Sequence, residues 1–434
     1  MCGVAAVVSL NNPELNVLPD LLRILLQMQN RGPDAAGFGI IGLVGKPNLQ
    51  WKKSGSAKEL FAPSEVGHIL DKFSGSRPIT IGHVRYATAS ERDADNAQPH
   101  HFGVGGQRFV VAANGDIPFC DSEQTKLTRI GYQFESNCDA EVIAKWLGHA
   151  WLNNGHNEEE AFQEVGKTLS GAFSLVAITP SKRLFIMRDP IGFRPLWYGL
   201  DKSAGLFYVA SESAILQKIT GSIPCEVLPG ELIVVNPFTA TEQIKKYRFA
   251  NNRPQRFCLM EIYYFSRPDS FHSEKDLRTM HELRLNLGRQ LGKEWKAGGY
   301  PEPELVCPVP NSGTASAQGF ALECGVPYIE AIFKDRYAGR IFLDPAAERA
   351  NRAFTNLSVI AGYVKGKKVA VTDDSIVRGE QSIDVARKLY AAGAEEVYWL
   401  ITAPPYCYPC FFGINTPDPE LLIAHQRSIE ELQR

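Results

Sequence analysis

The stretch Met1–Leu10, MCGVAAVVSL, is the key to the first half of the chain: a cysteine directly after the initiator methionine, a glycine, then an unbroken run of small apolar residues. A short apolar run bounded by turn residues reads as a buried strand. Removal of Met1 would leave Cys2 carrying a thiol and an α-amine on the same residue. Nucleophilic catalysis needs a proton acceptor within hydrogen-bond reach of the thiol. An α-amine, ordinarily titrating at about 7.7–8.0, is partly neutral at cellular pH and can serve as that base. The plain alternative is that Cys2 is a small buried hydrophobe at a chain end, and a dipeptide alone does not decide between the two.

The chain has 434 residues, more than one hydrophobic core usually holds, so two domains are expected. With 44% apolar and 22% charged residues it has the composition of an ordinary globular protein. Lys+Arg at 46 against Asp+Glu at 48 leaves no basic excess, which argues against a nucleic-acid partner or a polybasic membrane surface. No apolar run is long enough to span a bilayer, and no charged segment leads into an apolar one as in a signal peptide. The nine cysteines show no disulfide-framework spacing, so a reducing cytoplasmic location is expected.

There are no internal repeats or low-complexity tracts, and the clearest change of composition is the polar stretch 236–256, NPFTATEQIKKYRFANNRPQR, which reads as a linker. The expected domains are therefore 2–240 and 256–434. Before the linker, CGVAAVVSL, SLVAIT, LFIMRD, LFYVASE and ELIVVN read as strands, and segments 16–30 and 139–153 as amphipathic helices, so two sheets carrying helices are expected. After it, ELVCPVP runs into SGTASAQGFALEC, KKVAVTDD into SIDVARKLYAAGA, and EEVYWLITAPP follows. That strand, loop, helix alternation predicts a parallel, doubly wound sheet.

Four constellations of the first half bear on Cys2: RGPDAAGFGI from Arg31, GHVRYAT from Gly82, AANGDI from Ala112 and NCDAE from Asn137. An enzyme that takes the amide of glutamine needs an arginine for the α-carboxylate and a carboxylate for the α-ammonium. It also needs an amide side chain beside a glycine N–H to stabilise the tetrahedral oxyanion. Read singly, Asn114-Gly115 equally suits a hairpin turn and Arg85 a surface ion pair. Together these motifs resemble the class II glutamine amidotransferases, which open with Cys-Gly and carry RGxD, GHxRYxT and an NG turn. The resemblance implies an α+β N-terminal nucleophile hydrolase domain with four αββα layers. It makes Cys2 the nucleophile and Asn114 and Gly115 the oxyanion hole, with Arg31, Arg85 and Asp139 as glutamine-binding residues. One departure is Ala113, where that family commonly has histidine; the expected effect is on local packing.

In the second half, VAVTDDSIVRGEQS (Val369–Ser382) places two adjacent acids at a strand end ahead of a glycine loop that enters a helix. Such acids can hold ribose hydroxyls while the N–H groups of the helix start hold a phosphate; capping of the helix is the plain alternative. With EIYYFSRPDS, ELVCPVPNSGTASAQGFA, KDRYAGRIF and TDDSIVRG in order, nearly the whole chain resembles the glutamine phosphoribosylpyrophosphate amidotransferase family. The resemblance implies an α/β type I phosphoribosyltransferase domain that transfers ammonia to phosphoribosylpyrophosphate, giving phosphoribosylamine and pyrophosphate, the first step of purine synthesis. It implies phosphoribosylpyrophosphate binding by Ser312, Gly313, Lys334, Arg336, Arg340, Asp373, Asp374, Arg378, Gly379 and Ser382, with Mg²⁺ at Asp373 and Asp374. A loop carrying Lys334, Arg336 and Arg340 would close over the substrate and complete an ammonia channel. A homo-oligomer and purine nucleotide effectors are implied as well.

The second half also departs from that family's pattern. Asn311 stands for the usual Asp, Phe354 and Asn356 stand for basic residues, and Glu380 and Gln381 replace hydroxyl residues of the phosphate loop. A carboxylate about 4 Å from a bound phosphate is repelled by roughly 4 kcal/mol near a protein surface. Cys258 and Cys410 fall where two of four iron–sulfur ligands would lie, but Cys407-x-x-Cys410 without a second pair is a weak metal pattern, and free thiols are expected. Two other functions stay open on the sequence: a paralogue whose glutaminase serves a different phosphorylated or nucleotide-like acceptor, and a non-catalytic nucleotide-binding regulator.

Overall fold

The structure, a computed structural model, describes residues 2–42, 46–87, 94–250, 254–334, 357–414, 416 and 418–433. The described chain divides into two compact units. The first runs to Cys258 and includes Ser273–Leu277 and the segment 410–415; the second holds the rest.

In the first unit, β1 (Gly3–Ser9), β2 (Ala35–Ile40), β3 (Leu49–Ser54), β4 (Ile79–Arg85), β9 (Trp197–Asp201), β10 (Leu206–Ala210) and β11 (Cys225–Glu226) form a seven-stranded sheet ordered β11-β9-β10-β1-β4-β2-β3. A six-stranded sheet, ordered β13-β12-β8-β7-β6-β5, contains β5 (His100–Val104), β6 (Gln107–Asp116), β7 (Ala172–Ile178), β8 (Leu184–Arg188), β12 (Glu231–Val235) and β13 (Ile244–Arg248). Residues that alternate along the inner strands, such as Val4, Ala6, Ile79, Ile81, Val110, Ala112 and Val176, form one buried cluster between the sheets. Their neighbours of opposite parity on the second sheet, Phe109, Val111, Ala113, Phe173 and Leu175, pack with Ile143, Leu147, Trp151 and Phe162 of helices Asp139–Asn153 and Glu158–Thr168. The strict alternation that a β-sheet imposes thus separates the two cores. On the other sheet, helix Leu18–Gln27 buries Leu18, Leu21, Leu22, Ile24 and Leu25 at helical spacing, and Gly82 of β4 leaves the space that Leu25 fills.

The expected linker differs from the structure in one respect: Ile244–Arg248 is β13, paired antiparallel with β12. An edge strand with one wet face can be as polar as IKKYR, so its composition resembles a connection.

In the second unit β14 (Leu305–Pro308), β17 (Lys368–Asp373) and β18 (Glu396–Ile401) form a parallel sheet, accompanied by the antiparallel pair β15 (Ile332–Lys334) and β16 (Leu357–Val359). One apolar cluster, with Cys307, Val369, Val371, Val385 and Leu389, covers one face; Val306, Ala317, Phe320, Ala370 and Leu400 cover the other. This is the parallel arrangement that the strand, loop, helix pattern predicts, and the carboxyl ends of such strands are where ligands bind.

Candidate active sites

Cys2 lies just ahead of β1, whose Gly3 pairs with Val84 of β4, so Cys2 sits beside the strand end that carries Arg85. Its thiol donates to the Tyr86 carbonyl at 3.7 Å. Burial pushes the thiol's pKa up, countered in part by the Tyr86 contact.

The RGPD turn clasps this corner together. The Arg31 guanidinium is fully buried, donates from Nε to the Cys2 carbonyl at 2.9 Å and pairs through a terminal nitrogen with Glu212 at 2.7 Å. A Cβ on Gly32 would meet the Arg85 backbone at 2.5 Å, so only glycine allows the turn to lie on β4. Asp34 donates its N–H to the Arg85 carbonyl, and its carboxylate accepts from Ala87 N–H at 2.9 Å.

Asn114 and Gly115 lie near the end of β6, with Asn114 fully buried and neither amide atom of its side chain given a partner among the described residues. A buried amide without partners is expensive unless a ligand completes it. At Gly115 a Cβ would fall 1.7 Å from the Ala172 carbonyl oxygen, and φ is +155°, so glycine is obligatory. The dipeptide is therefore within a strand, and the hairpin reading does not hold.

Asp139 is the first residue of helix Asp139–Asn153. Its Oδ1 accepts from Ala140 N–H at 2.8 Å and from the Cys138 thiol at 3.6 Å. Burial first, and then the charge of Asp116, push its pKa up to about 7. Glu141, itself buried, accepts from Ser136 N–H and Oγ and from Glu135 N–H, which shapes the turn before Asp139. Arg85 acts on both Cys2 and Asp139, Asp139 acts on Cys2, and Asp116 acts on Asp139. Sequence reasoning missed Glu212, Glu141 and Asp34; Asp34, inside RGPD, and Glu141, at the end of NCDAE, had motifs to point to them, and Glu212 had none.

In the second unit, Asp373 and Asp374 are buried at the end of β17. Ser312 Oγ donates to Asp373 Oδ1 at 2.7 Å, and Asp374 N–H donates to the same oxygen at 2.9 Å. Ser375 Oγ donates to Asp374 Oδ1 at 2.6 Å, while Asp374 Oδ2 has no partner among the described residues. Burial raises Asp373 to about 6; burial and then its neighbour raise Asp374 to about 7. Paired acids with an unspent buried oxygen suit a hard cation or hydroxyl donors, and Mg²⁺ fits this donor set. A Cβ at Gly313 would lie 1.9 Å from the Thr372 carbonyl, so the loop after β14 lies against β17.

The turn into helix Glu380–Ala391 has Gly379 in the left-handed region at φ +84°, with Ser382 Oγ donating back to its carbonyl at 3.0 Å. Glu380 is exposed, so its carboxylate sits in water, where repulsion of a bound phosphate is weakened. Arg378 is exposed beside the turn and Lys334 is exposed at the end of β15. Arg336, Arg340, Phe354 and Asn356 lie outside the described residues.

A half-buried thiol, an amide in a strand with no side-chain partner among the described residues and a clasped N-terminal segment on two stacked sheets define a glutamine amidotransferase of the N-terminal nucleophile type. In accord with this, a family profile described as a glutamine amidotransferase domain matches residues 83–218. The chain belongs to the amidophosphoribosyltransferase family. It is 34% identical over 94% of its length, and 81% of the relative's, to the amidophosphoribosyltransferase of Bacillus subtilis. It is 33% identical over its whole length, and 86% of the relative's, to that of Methanothermobacter thermautotrophicus. Among solved structures, the B. subtilis glutamine phosphoribosylpyrophosphate amidotransferase complexed with ADP and GMP is 32% identical, with a TM-score of 0.83 over 99% of this chain and 88% of that one. A structure described as the allosteric regulatory enzyme of purine biosynthesis is 33% identical, with a TM-score of 0.84 over 99% and 87%. The two-part architecture is that of an N-terminal nucleophile hydrolase followed by a phosphoribosyltransferase fold.

Proposed function

We propose that this chain hydrolyses glutamine at Cys2 and transfers the ammonia to phosphoribosylpyrophosphate, forming phosphoribosylamine, glutamate and pyrophosphate. The observation that carries the reading is the combination of an N-terminal thiol with a buried Asn114 amide that has no side-chain partner among the described residues in one unit, and of the Ser312–Asp373–Asp374 cluster with a phosphate-type turn in the other.

With Met1 removed, the Cys2 amine takes the thiol proton as sulfur attacks the glutamine amide carbon. Arg85 holds the α-carboxylate and Asp139 the α-ammonium. Asn114 Nδ2 and the Gly115 N–H stabilise the oxyanion, and the amine returns the proton to the leaving ammonia. Water then cleaves the thioester and releases glutamate. Arg31 has a different part from the glutamine ligand expected of it: bound to the Cys2 carbonyl and Glu212, it anchors the nucleophile by its backbone and leaves the sulfur and amine to exchange protons. In the second unit, Asp373 and Asp374 hold the ribose hydroxyls and Mg²⁺-linked oxygens, the 378–382 turn holds the 5-phosphate, and Ser312 and Gly313 lie in the pyrophosphate loop. Mg²⁺, when bound, neutralises charge on the departing pyrophosphate. Purine nucleotides are proposed as feedback ligands of this acceptor site.

The test follows glutamate and pyrophosphate in one tube, using protein with Met1 removed, glutamine, Mg²⁺ and phosphoribosylpyrophosphate. Stoichiometric release of both supports the reading. Glutamate without pyrophosphate overturns the acceptor, and absence of both overturns the catalytic assignment.

A further inference from the structure

β5 pairs with β6 only from Val104↔Gln107 to His100↔Val111, so beyond Val111 the strand that carries Asn114 and Gly115 has lost its neighbour on that side. The backbone of Ala113 would be left unpaired inside the protein, where an unsatisfied peptide group is costly. Two buried side chains supply the missing ladder instead. Gln98 Oε1 accepts from Ala113 N–H at 2.7 Å, and His83 Nε2 lies 3.1 Å from the Ala113 carbonyl oxygen.

His83 comes from the other sheet. It pairs with Val4 of β1 and Gly37 of β2 and has the same parity as Ile79 and Ile81, which face the space between the sheets. Because a carbonyl only accepts, Nε2 carries the proton. Burial and the nearby Arg85 push the imidazole pKa down to about 3, so the ring is neutral throughout the working range. The Ala113 carbonyl belongs to the same peptide plane as the Asn114 N–H.

We infer that His83 is a positioning residue for amide hydrolysis: it reaches from the sheet that carries Cys2 and fixes the Ala113–Asn114 peptide, setting the distance between nucleophile and oxyanion hole. The inference rests on Asn114 being an oxyanion donor. It adds a role to a motif of which only Arg85 had been given one, and explains how an alanine is accommodated before Asn-Gly. The side chain of Ala113 packs toward the helices, while its backbone is held from the opposite side.

The test compares His83→Asn, too short to reach the carbonyl, with His83→Gln, whose amide can place an N–H near the Nε2 position. Glutaminase kinetics are read beside the rate of Cys2 alkylation by iodoacetamide, a reaction that forms no oxyanion. We expect His83→Asn to lower kcat by about 10- to 100-fold, less than or comparable to loss of a direct oxyanion donor. KM for glutamine should stay within about threefold, alkylation within about twofold, and His83→Gln should restore most of kcat. Wild-type kcat in His83→Asn, or parallel loss of kcat and alkylation in both variants, overturns the inference. Asn114→Ala measured alongside separates the two levels. If that variant keeps kcat, the oxyanion assignment itself fails; if it loses kcat while His83→Asn does not, only the positioning role fails.

Discussion

Replacing Asp139 by asparagine should stabilise the protein and cripple its use of glutamine. The side chain keeps an Oδ1 to accept from Ala140 N–H, and loses only its charge. In the folded protein the carboxyl titrates at about 7 instead of its ordinary 3.8, because burial and Asp116 both oppose ionisation. Each factor of ten in proton affinity is about 1.36 kcal/mol, so carrying this charge at about pH 8 costs up to about 4 kcal/mol. Asp116 shares the strain, so we expect about 2 kcal/mol to be recovered, a rise in melting temperature of roughly 4–8 °C for a unit of this size. The sign fixes the pH window. A carboxyl whose pKa is raised on folding costs nothing below its unfolded value and progressively more between about 4 and 7. The gain should therefore be full near pH 8 and nearly absent near pH 4. Loss of a charge-assisted bond to the substrate ammonium should raise KM for glutamine by about 10- to 100-fold. In the parent protein KM should climb about tenfold per pH unit below 7, since glutamine binds the ionised form. Calorimetry at the two pH values and steady-state glutamate release check both halves. A lower melting temperature at about pH 8 would refute the burial argument, and an unchanged KM would refute the ammonium site.

Gly115→Ala puts a methyl group onto the Ala172 carbonyl and should cut kcat for glutamine at least about 100-fold with a lower melting temperature; kcat near that of the parent would show that the strand can yield. Glu212→Ala removes the carboxylate that accepts from the buried Arg31 guanidinium and should destabilise by about 3–5 kcal/mol in denaturant titrations, with Glu212→Gln milder; equal effects would mean the charge is irrelevant. Asp374→Asn, or chelation of divalent cations, should abolish pyrophosphate release while leaving basal glutamate release intact, and loss of both activities together would contradict the assignment of Asp374 to the acceptor site.

The apolar runs of β1, β7, β8, β10 and β12 were legible because buried strands are apolar on both faces. Helix Asp139–Asn153 falls on its predicted span, since its acids and leucine spacing are local properties. β13 was not legible: an edge strand with one wet face takes its identity from pairing with β12, and its polar composition resembles a connection. The same holds for the site. Cys2, Arg85, Asn114 and Asp139 sit in motifs, whereas Glu212 and Gln98 owe their roles to contacts across 181 and 15 residues that no pattern announces. Arg31 was legible as an important residue, but its facing could be read only once Glu212 was seen beside it.

The residues proposed to hydrolyse glutamine lie at or next to the ends of paired strands, which ties their placement to the exchange behaviour of the backbone. Cys2 precedes Gly3↔Val84, and Asn114 lies opposite Ser174. The amides of these pairs are expected to exchange with solvent deuterium about as slowly as the sheets that hold them. On heating, activity is expected to persist until the cooperative transition of this unit and to disappear with it.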